Sequence, residues 1–176
     1  MMRRRLFFGM CLAVSGARAA EPSKAAILSC LSAEAVSSSV TWKALPTEEI
    51  YSQDDYEGGF NATYYLSVQG KEIGYAEKGA VKAILFDHKI YPVDAARALP
   101  GFAIRPTELN PYVAEWGTVK DASEKFVCVS FPLGVLGQSG TFQKNRSAYL
   151  ISLTSQKNAR ILYSATGNID LIKTSK

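Results

Sequence analysis

The chain is poor in the residues from which most catalytic and metal sites are built. Its 176 residues include one histidine, His88, and three cysteines. A structural zinc site needs four ligands, mostly Cys or His, and a nucleophilic cysteine needs an adjacent base. The sequence also lacks a GxxxxGK[ST] phosphate-binding loop and a GxSxG nucleophile turn. We therefore predict neither a metal ion nor a cofactor, and we predict that the protein is not an enzyme.

The chain also lacks an apolar run long enough to span a membrane. Its longest apolar stretch lies near the start of the chain. Three arginines at 3–5 precede an apolar stretch at 6–14, and Ala-Arg-Ala follows at 17–19. A basic segment, a short apolar core and small residues at a cleavage site are the three parts of a secretory signal peptide, and this core is too short to span a bilayer. The sequence therefore predicts a signal peptide at 1–19 that is cleaved after Ala19, and cleavage after Ala20 is the alternative. It also predicts a single domain at 20–176, a periplasmic or secreted location and no membrane span.

An excess of positive charge is absent once this leader is set aside. The whole chain has 20 Lys and Arg against 16 Asp and Glu, and four of the arginines lie in the leader. The remainder therefore has as many acidic as basic residues and a net charge near zero. Nucleic-acid binding depends on concentrated positive charge. We therefore predict no nucleic-acid partner.

Two cysteines remain after the leader, Cys30 and Cys128, and they lie 98 positions apart. In an exported chain two cysteines predict one intramolecular disulfide, because only one pairing exists. Closing a loop of this length stabilises a fold by roughly 4–5 kcal/mol in the chain-entropy model. The alternatives are two buried free thiols or a catalytic cysteine. We favour the disulfide, because Cys128 lies in the apolar run KFVCVSF and no activating base is evident.

The apolar pattern predicts an α+β fold, in which an N-terminal helix packs on a curved, mostly antiparallel β-sheet that is stapled by the disulfide. Leu and Ile at helical spacing predict the helix over 21–36, and the nearly uniform apolar character of 125–131 predicts a central strand. Alternating residues predict the other β segments, and two shorter elements complete the chain. The predicted segments are strands at 39–45, 81–86 and 112–119, hairpins at 60–79 and 146–167, a turn at 87–89 and a short helical piece at 93–99.

The segment PLGVLGQSGT follows the predicted central strand and has a glycine at every third position, 134, 137 and 140. Such spacing favours a tightly turned loop between strands over a phosphate-binding loop. The four residues at 139–142, Ser-Gly-Thr-Phe, are similar to the loop that periplasmic lysozyme inhibitors insert into the lysozyme cleft, with Phe in place of Tyr. The resemblance implies a protein partner, such as a lysozyme-like or other peptidoglycan-degrading enzyme. It also implies steric inhibition through Gln138, Ser139, Gly140 and Phe142.

Immunity proteins that neutralise cell-wall-degrading enzymes share these general features, so the predicted class is inhibitor or immunity protein. Tyrosines expected outside strand centres, at 51, 56, 91 and 112, suit a binding surface, although strands also favour tyrosine.

Two other classes stay open. A small envelope hydrolase could use the carboxylates Asp54, Asp55 and Glu57, which otherwise form a solvated acidic loop or a contact surface for a basic partner. The protein could instead be a structural or assembly subunit of an envelope complex. His88, in the sequence Asp-His-Lys, is predicted to be a surface turn residue.

Overall fold

A computed structural model describes residues 21–46, 51–102, 109–122, 124–133 and 144–170. Within these ranges the protein has one α-helix and eleven strands, which form two sheets, and neither sheet is closed. Cys30 and Cys128 form a disulfide with their Cα atoms 5.8 Å apart. The structure therefore confirms the predicted combination of one helix, mostly strands and one disulfide.

The helix α1, Lys24–Ser32, is shorter than the predicted segment, and local contacts set both of its ends. The Ser23 hydroxyl caps its start by accepting a hydrogen bond from the backbone N–H of Ala26 at 3.2 Å. Ala33 ends it by adopting a left-handed conformation, with φ of 54°, in which its N–H bonds to the Cys30 carbonyl. Cys30 and Leu31 are buried on one face of this helix.

The strands are β1 Val40–Ala44, β2 Tyr51–Tyr56, β3 Phe60–Val68, β4 Lys71–Lys78, β5 Val81–Phe86, β6 Lys89–Pro92, β7 Arg97–Ala98, β8 Glu115–Asp121, β9 Glu124–Pro132, β10 Asn145–Ser152 and β11 Leu162–Asn168. They form sheet A, which has six strands, and sheet B, which has five. Sheet B is a meander in chain order, β2-β3-β4-β5-β6, whereas sheet A has the order β1-β8-β9-β10-β11-β7. All pairs are antiparallel except β7 with β11.

The central strands of sheet A are buried on both faces. Alternate residues of β9 explain how: Phe126 and Cys128 pack with α1, whereas Val127, Val129 and Phe131 pack with apolar residues of sheet B. β9 lies between β8 and β10, so the predicted central strand is confirmed. A strand that is buried on both faces has no polar face, and its sequence is therefore almost uniformly apolar.

Two further features differ from the sequence-based expectation. The sequence predicted one sheet, and the structure has two, because the 60–79 hairpin belongs to a separate meander. The segment 93–99 was predicted to be helical, but its only helical part is a 3₁₀ turn at Val93–Ala95, and Arg97–Ala98 then pair with β11. The predicted turn at 87–89 is confirmed for Asp87 and His88, whose φ angles are 54° and 58°.

Candidate functional site

The four predicted contact residues, Gln138, Ser139, Gly140 and Phe142, lie outside the described residues, but the base of their segment is described. The Leu133 N–H donates a 2.8 Å hydrogen bond to the Asn145 carbonyl, and Pro132 pairs with Arg146 across β9 and β10. The chain therefore leaves sheet A and re-enters it on two adjacent central strands. Leu133 and Lys144, which flank the segment 134–143, lie at the same end of that sheet.

This end of sheet A is held by buried contacts on both of its faces. On the α1 face, the disulfide joins α1 to β9, and the Ser130 hydroxyl donates a 2.9 Å hydrogen bond to the Leu31 carbonyl. On the sheet B face, the Phe131 ring lies 6.0–6.1 Å, centroid to centroid, from three aromatic rings in edge contacts. These rings belong to Tyr75, Trp116 and Tyr149. Such aromatic pairs stabilise a core beyond the area they bury, so the strands on either side of 134–143 are well anchored.

A short 3₁₀ turn, Pro111–Val113, lies beside this end, because β8 starts two residues later and Glu115 pairs with Ser130. The Asn110 side chain caps the turn by accepting a 3.1 Å hydrogen bond from the Tyr112 N–H. We call the end of sheet A formed by the following residues the platform: Tyr112, Val113, Glu115, Leu133, Lys144, Asn145 and Arg146. Tyr112 and Val113 are exposed, and the exposed fraction of Tyr112 is 69%.

Each charged residue of the platform forms an ion pair. Both terminal nitrogens of Arg146 donate to one carboxylate oxygen of Glu115, Oε1, at 3.1 Å. Lys144 and Asp170 form a second pair at 2.7 Å, and both side chains are about half exposed. The Arg146–Glu115 pair is asymmetric, because the arginine side chain is 7% exposed and the glutamate side chain 53%. Its buried end is therefore positive, and its accessible end is negative.

The tyrosines that the sequence suggested for a binding surface differ in their exposure to solvent. Tyr56 and Tyr91 are buried, whereas Tyr112 is among the most exposed large apolar side chains of the described residues. Asn110-Pro111 before Tyr112 is the sequence signal that could have distinguished it. Proline fixes the first residue of the turn, and asparagine caps it.

The carboxylates of the alternative hypothesis lie on sheet B. Asp54 and Asp55 are exposed on β2, and Glu57 is exposed in the turn that follows. β2 is an edge strand whose pairing with β3 has two register irregularities, and bulges and exposed charges are common devices that prevent edge-to-edge aggregation. Across the described parts of the chain, no three His, Cys, Asp or Glu side chains are grouped as metal ligands.

An ion cluster that the sequence pattern did not indicate lies at the opposite end of sheet A. Asp87 Oδ2 accepts from Arg160 Nη1 at 2.6 Å and from Lys71 Nζ at 2.9 Å. These two hydrogen bonds, from Arg160 first, lower the pKa of Asp87 from 3.8 to about 2. Arg160 also lies over the Phe86 ring, with its guanidinium carbon 4.8 Å from the centroid. Because Arg160 follows β10 and Asp87 follows β5, the cluster joins sheet A to sheet B.

A second polar group lies next to this cluster. The Tyr56 hydroxyl donates to Glu72 Oε2 at 2.6 Å, and His88 Nδ1 lies 3.2 Å from the same oxygen. The His88 side chain is more than half exposed, as predicted for a surface turn. The carboxylate orients the histidine ring.

A cleft of about 410 Å³ opens between the start of α1 and residues 99–102. Of its described lining residues, Glu21 and Lys24 carry charge, and the rest are apolar or glycine.

Over the described ranges no helix is long and apolar enough to cross a membrane. Comparison of the chain with protein-family models, curated proteins and solved structures found no match.

Proposed function

We propose that the protein is exported to the periplasm or secreted and acts without catalysis, as an inhibitor or immunity protein against a peptidoglycan-degrading enzyme. The proposal includes removal of residues 1–19 and a single domain at 20–176, built on a curved sheet that carries the N-terminal helix. The partner is a protein rather than a nucleic acid. Inhibition is steric: Gln138, Ser139, Gly140 and Phe142 enter the cleft of the enzyme and exclude its substrate.

The observation that carries the proposal is the way in which 134–143 is attached to the fold. Its two flanking strands, β9 and β10, are central and buried, and the disulfide links β9 to α1. A binding segment whose ends are already fixed loses less conformational entropy when it binds, and this preorganisation increases affinity. The exposed Tyr112 and Val113, at the same end of sheet A as the flanking residues Leu133 and Lys144, add the apolar contact area that protein interfaces favour.

An inhibition assay tests the proposal. Purified peptidoglycan hydrolases, including any that are encoded beside this gene, are assayed on peptidoglycan with increasing amounts of the protein. We expect one of them to be inhibited stoichiometrically, and we expect the protein alone to release no fragments. Turnover of peptidoglycan or ester substrates by the protein alone supports the hydrolase alternative instead. Absence of inhibition across the set contradicts the proposal.

Alanine substitutions test the contact residues. Gln138→Ala and Phe142→Ala are each expected to weaken inhibition by about tenfold or more, because contact residues near the centre of an interface contribute most of the affinity. Lys82→Ala, on β5 of sheet B, is the control variant. Melting temperatures are expected to change little in all three. Unchanged inhibition by both loop variants removes the assignment of this segment.

Mass spectrometry of the native protein tests export. We expect an amino terminus at Ala20, and we expect Cys30 and Cys128 to resist alkylation until a reductant is added. An intact leader together with two alkylatable thiols contradicts the proposed location, because disulfides persist in oxidising compartments.

A further inference from the structure

Large apolar side chains are seldom exposed in the described part of the chain, and they are not scattered evenly. Three are exposed: Val81, Tyr112 and Val113. Two of the three are consecutive and lie on the platform, beside the strands that lead into 134–143. Exposed apolar side chains that cluster on a rigid support indicate an interaction surface, and tyrosine is enriched where binding energy concentrates.

An exposed negative charge, that of Glu115, follows Val113 by two residues. Glu115 Oε1 accepts both hydrogen bonds from Arg146, and Oε2 accepts none from a described residue. Because the Arg146 side chain is buried and Glu115 is half exposed, a partner meets the carboxylate and not the guanidinium. The other charges at this end, Lys144 and Asp170, are exposed to a similar degree and bond to each other. A partner group that approaches Glu115 beside Tyr112 therefore meets a negative charge.

We propose that Tyr112, Val113 and Glu115 form a second contact surface for the partner, separate from 134–143. The surface binds a partner segment that carries an apolar side chain next to an arginine or lysine. The apolar side chain packs on Tyr112 and Val113, and the cation donates to Glu115 Oε2. The oxygen is held in place by its neighbour Oε1, which Arg146 fixes, so the partner orders only its own side chain. This inference rests on the proposed function only in requiring a protein partner.

A peptide titration tests the surface without the natural partner. The ¹⁵N-labelled protein is titrated, at millimolar concentrations, with acetyl-Leu-Arg-amide and with acetyl-Leu-citrulline-amide, which has a similar shape but no charge. We expect the arginine peptide to shift the amide signals of residues 112–115 and to bind at least about threefold more tightly than the citrulline peptide, because an exposed ion pair contributes modestly. No shifts, shifts centred elsewhere or equal affinities overturn the proposal.

Variants make the test specific. Tyr112→Ala is expected to abolish the peptide-induced shifts, whereas Val81→Ser, the matched exposed apolar residue on sheet B, leaves them unchanged. Equal loss in the two variants overturns the assignment to this surface. Glu115→Gln is expected to remove the preference for arginine over citrulline. Because this change weakens the pairing of the buried Arg146, the preference of the wild-type protein is also measured at rising salt, where it is expected to fall. A preference that is independent of salt contradicts the role of Glu115.

Once an enzyme that the protein inhibits is identified, binding measurements with variants distinguish failure of the second surface from failure of the proposed function. Tyr112→Ala is expected to weaken enzyme binding by about tenfold or more, in addition to the effect of Phe142→Ala. If Phe142→Ala weakens binding and Tyr112→Ala does not, the second surface is wrong and the proposed function stands. If no enzyme is inhibited while the peptide titration succeeds, the proposed function is wrong and the surface stands.

Discussion

Replacement of Asp87 by asparagine is the most informative perturbation of the fold. The Asp87 carboxylate lies between two cations, Arg160 and Lys71, and it connects the turn after β5 to the segment after β10. The Arg160 side chain is only 5% exposed, whereas Lys71 is 30% exposed. Asp87→Asn therefore leaves a buried guanidinium without its counter-ion and weakens the connection between sheets A and B.

The structure allows the size of the effect to be estimated. Lowering the Asp87 pKa from 3.8 to about 2 corresponds to roughly 2 kcal/mol at 1.36 kcal/mol per unit, and solvent screening reduces this to about 1–2 kcal/mol. The uncompensated Arg160 adds a desolvation cost, so we expect Asp87→Asn to lower the free energy of unfolding by about 2–4 kcal/mol at pH 7.

The pH dependence has a definite sign. The pKa of Asp87 in the folded protein is lower than in the unfolded chain, so its contribution is fully present above about pH 4. It is lost as the pH falls towards 2. In Asp87→Asn this part of the acid dependence is expected to be missing.

Urea denaturation with the disulfide intact, followed by tryptophan fluorescence at pH 7 and at steps down to pH 2.5, measures both effects. Lys71→Met is the control and is expected to cost less than about 1 kcal/mol, because exposed ion pairs contribute little. The double variant Asp87→Asn/Arg160→Met is expected to be more stable than Asp87→Asn alone, because it has no uncompensated buried charge. A cost below about 0.5 kcal/mol for Asp87→Asn, with unchanged acid dependence, refutes the reasoning.

Three further predictions concern the core. The double variant Cys30→Ala/Cys128→Ala is expected to lose about 2–5 kcal/mol of stability by urea denaturation, and a loss within error contradicts a stabilising cross-link. Gly117→Ala is expected to cost about 1–3 kcal/mol and to shift tryptophan emission, because a Cβ atom there overlaps the Trp42 indole ring; wild-type stability and emission rule this out. Burial raises the pKa of Tyr75, Tyr91 and Tyr163, so these phenols are expected to ionise only as the protein unfolds above pH 10; smooth titration of every tyrosine in the folded protein contradicts it.

The sequence was informative wherever the burial of a segment follows from its own residues. β9 was predicted to be central because it has apolar residues on both of its faces, and this is what the structure shows. The 60–79 hairpin was predicted from alternation around Gln69-Gly70, and both residues of that turn have positive φ angles. Alternation identifies which residues share a face, but it does not show which other face they pack against. The division into two sheets was therefore not predicted.

The contacts that were missed depend on residues far apart in the chain. Arg160 and Asp87 are 73 positions apart, and each belongs to a polar turn whose sequence fits a solvated surface equally well. Arg97 and Ala98 form β7 only because β11 is beside them, which overrode the local helical pattern. For the candidate site, the sequence suggested Tyr112 among four tyrosines, and the structure was needed to show that Tyr112 is exposed while Tyr56 and Tyr91 are buried.

The strand order of sheet A also has a kinetic consequence. Sheet B pairs strands that follow one another, so its hairpins can form early from local encounters. β1 instead pairs with β8, with Val40 opposite Asp121, and the whole of sheet B lies between them along the chain. Bringing such distant segments together slows folding. A cross-link formed early between Cys30 and Cys128 shortens that search, so refolding of the oxidised chain is expected to be faster than refolding of the reduced one.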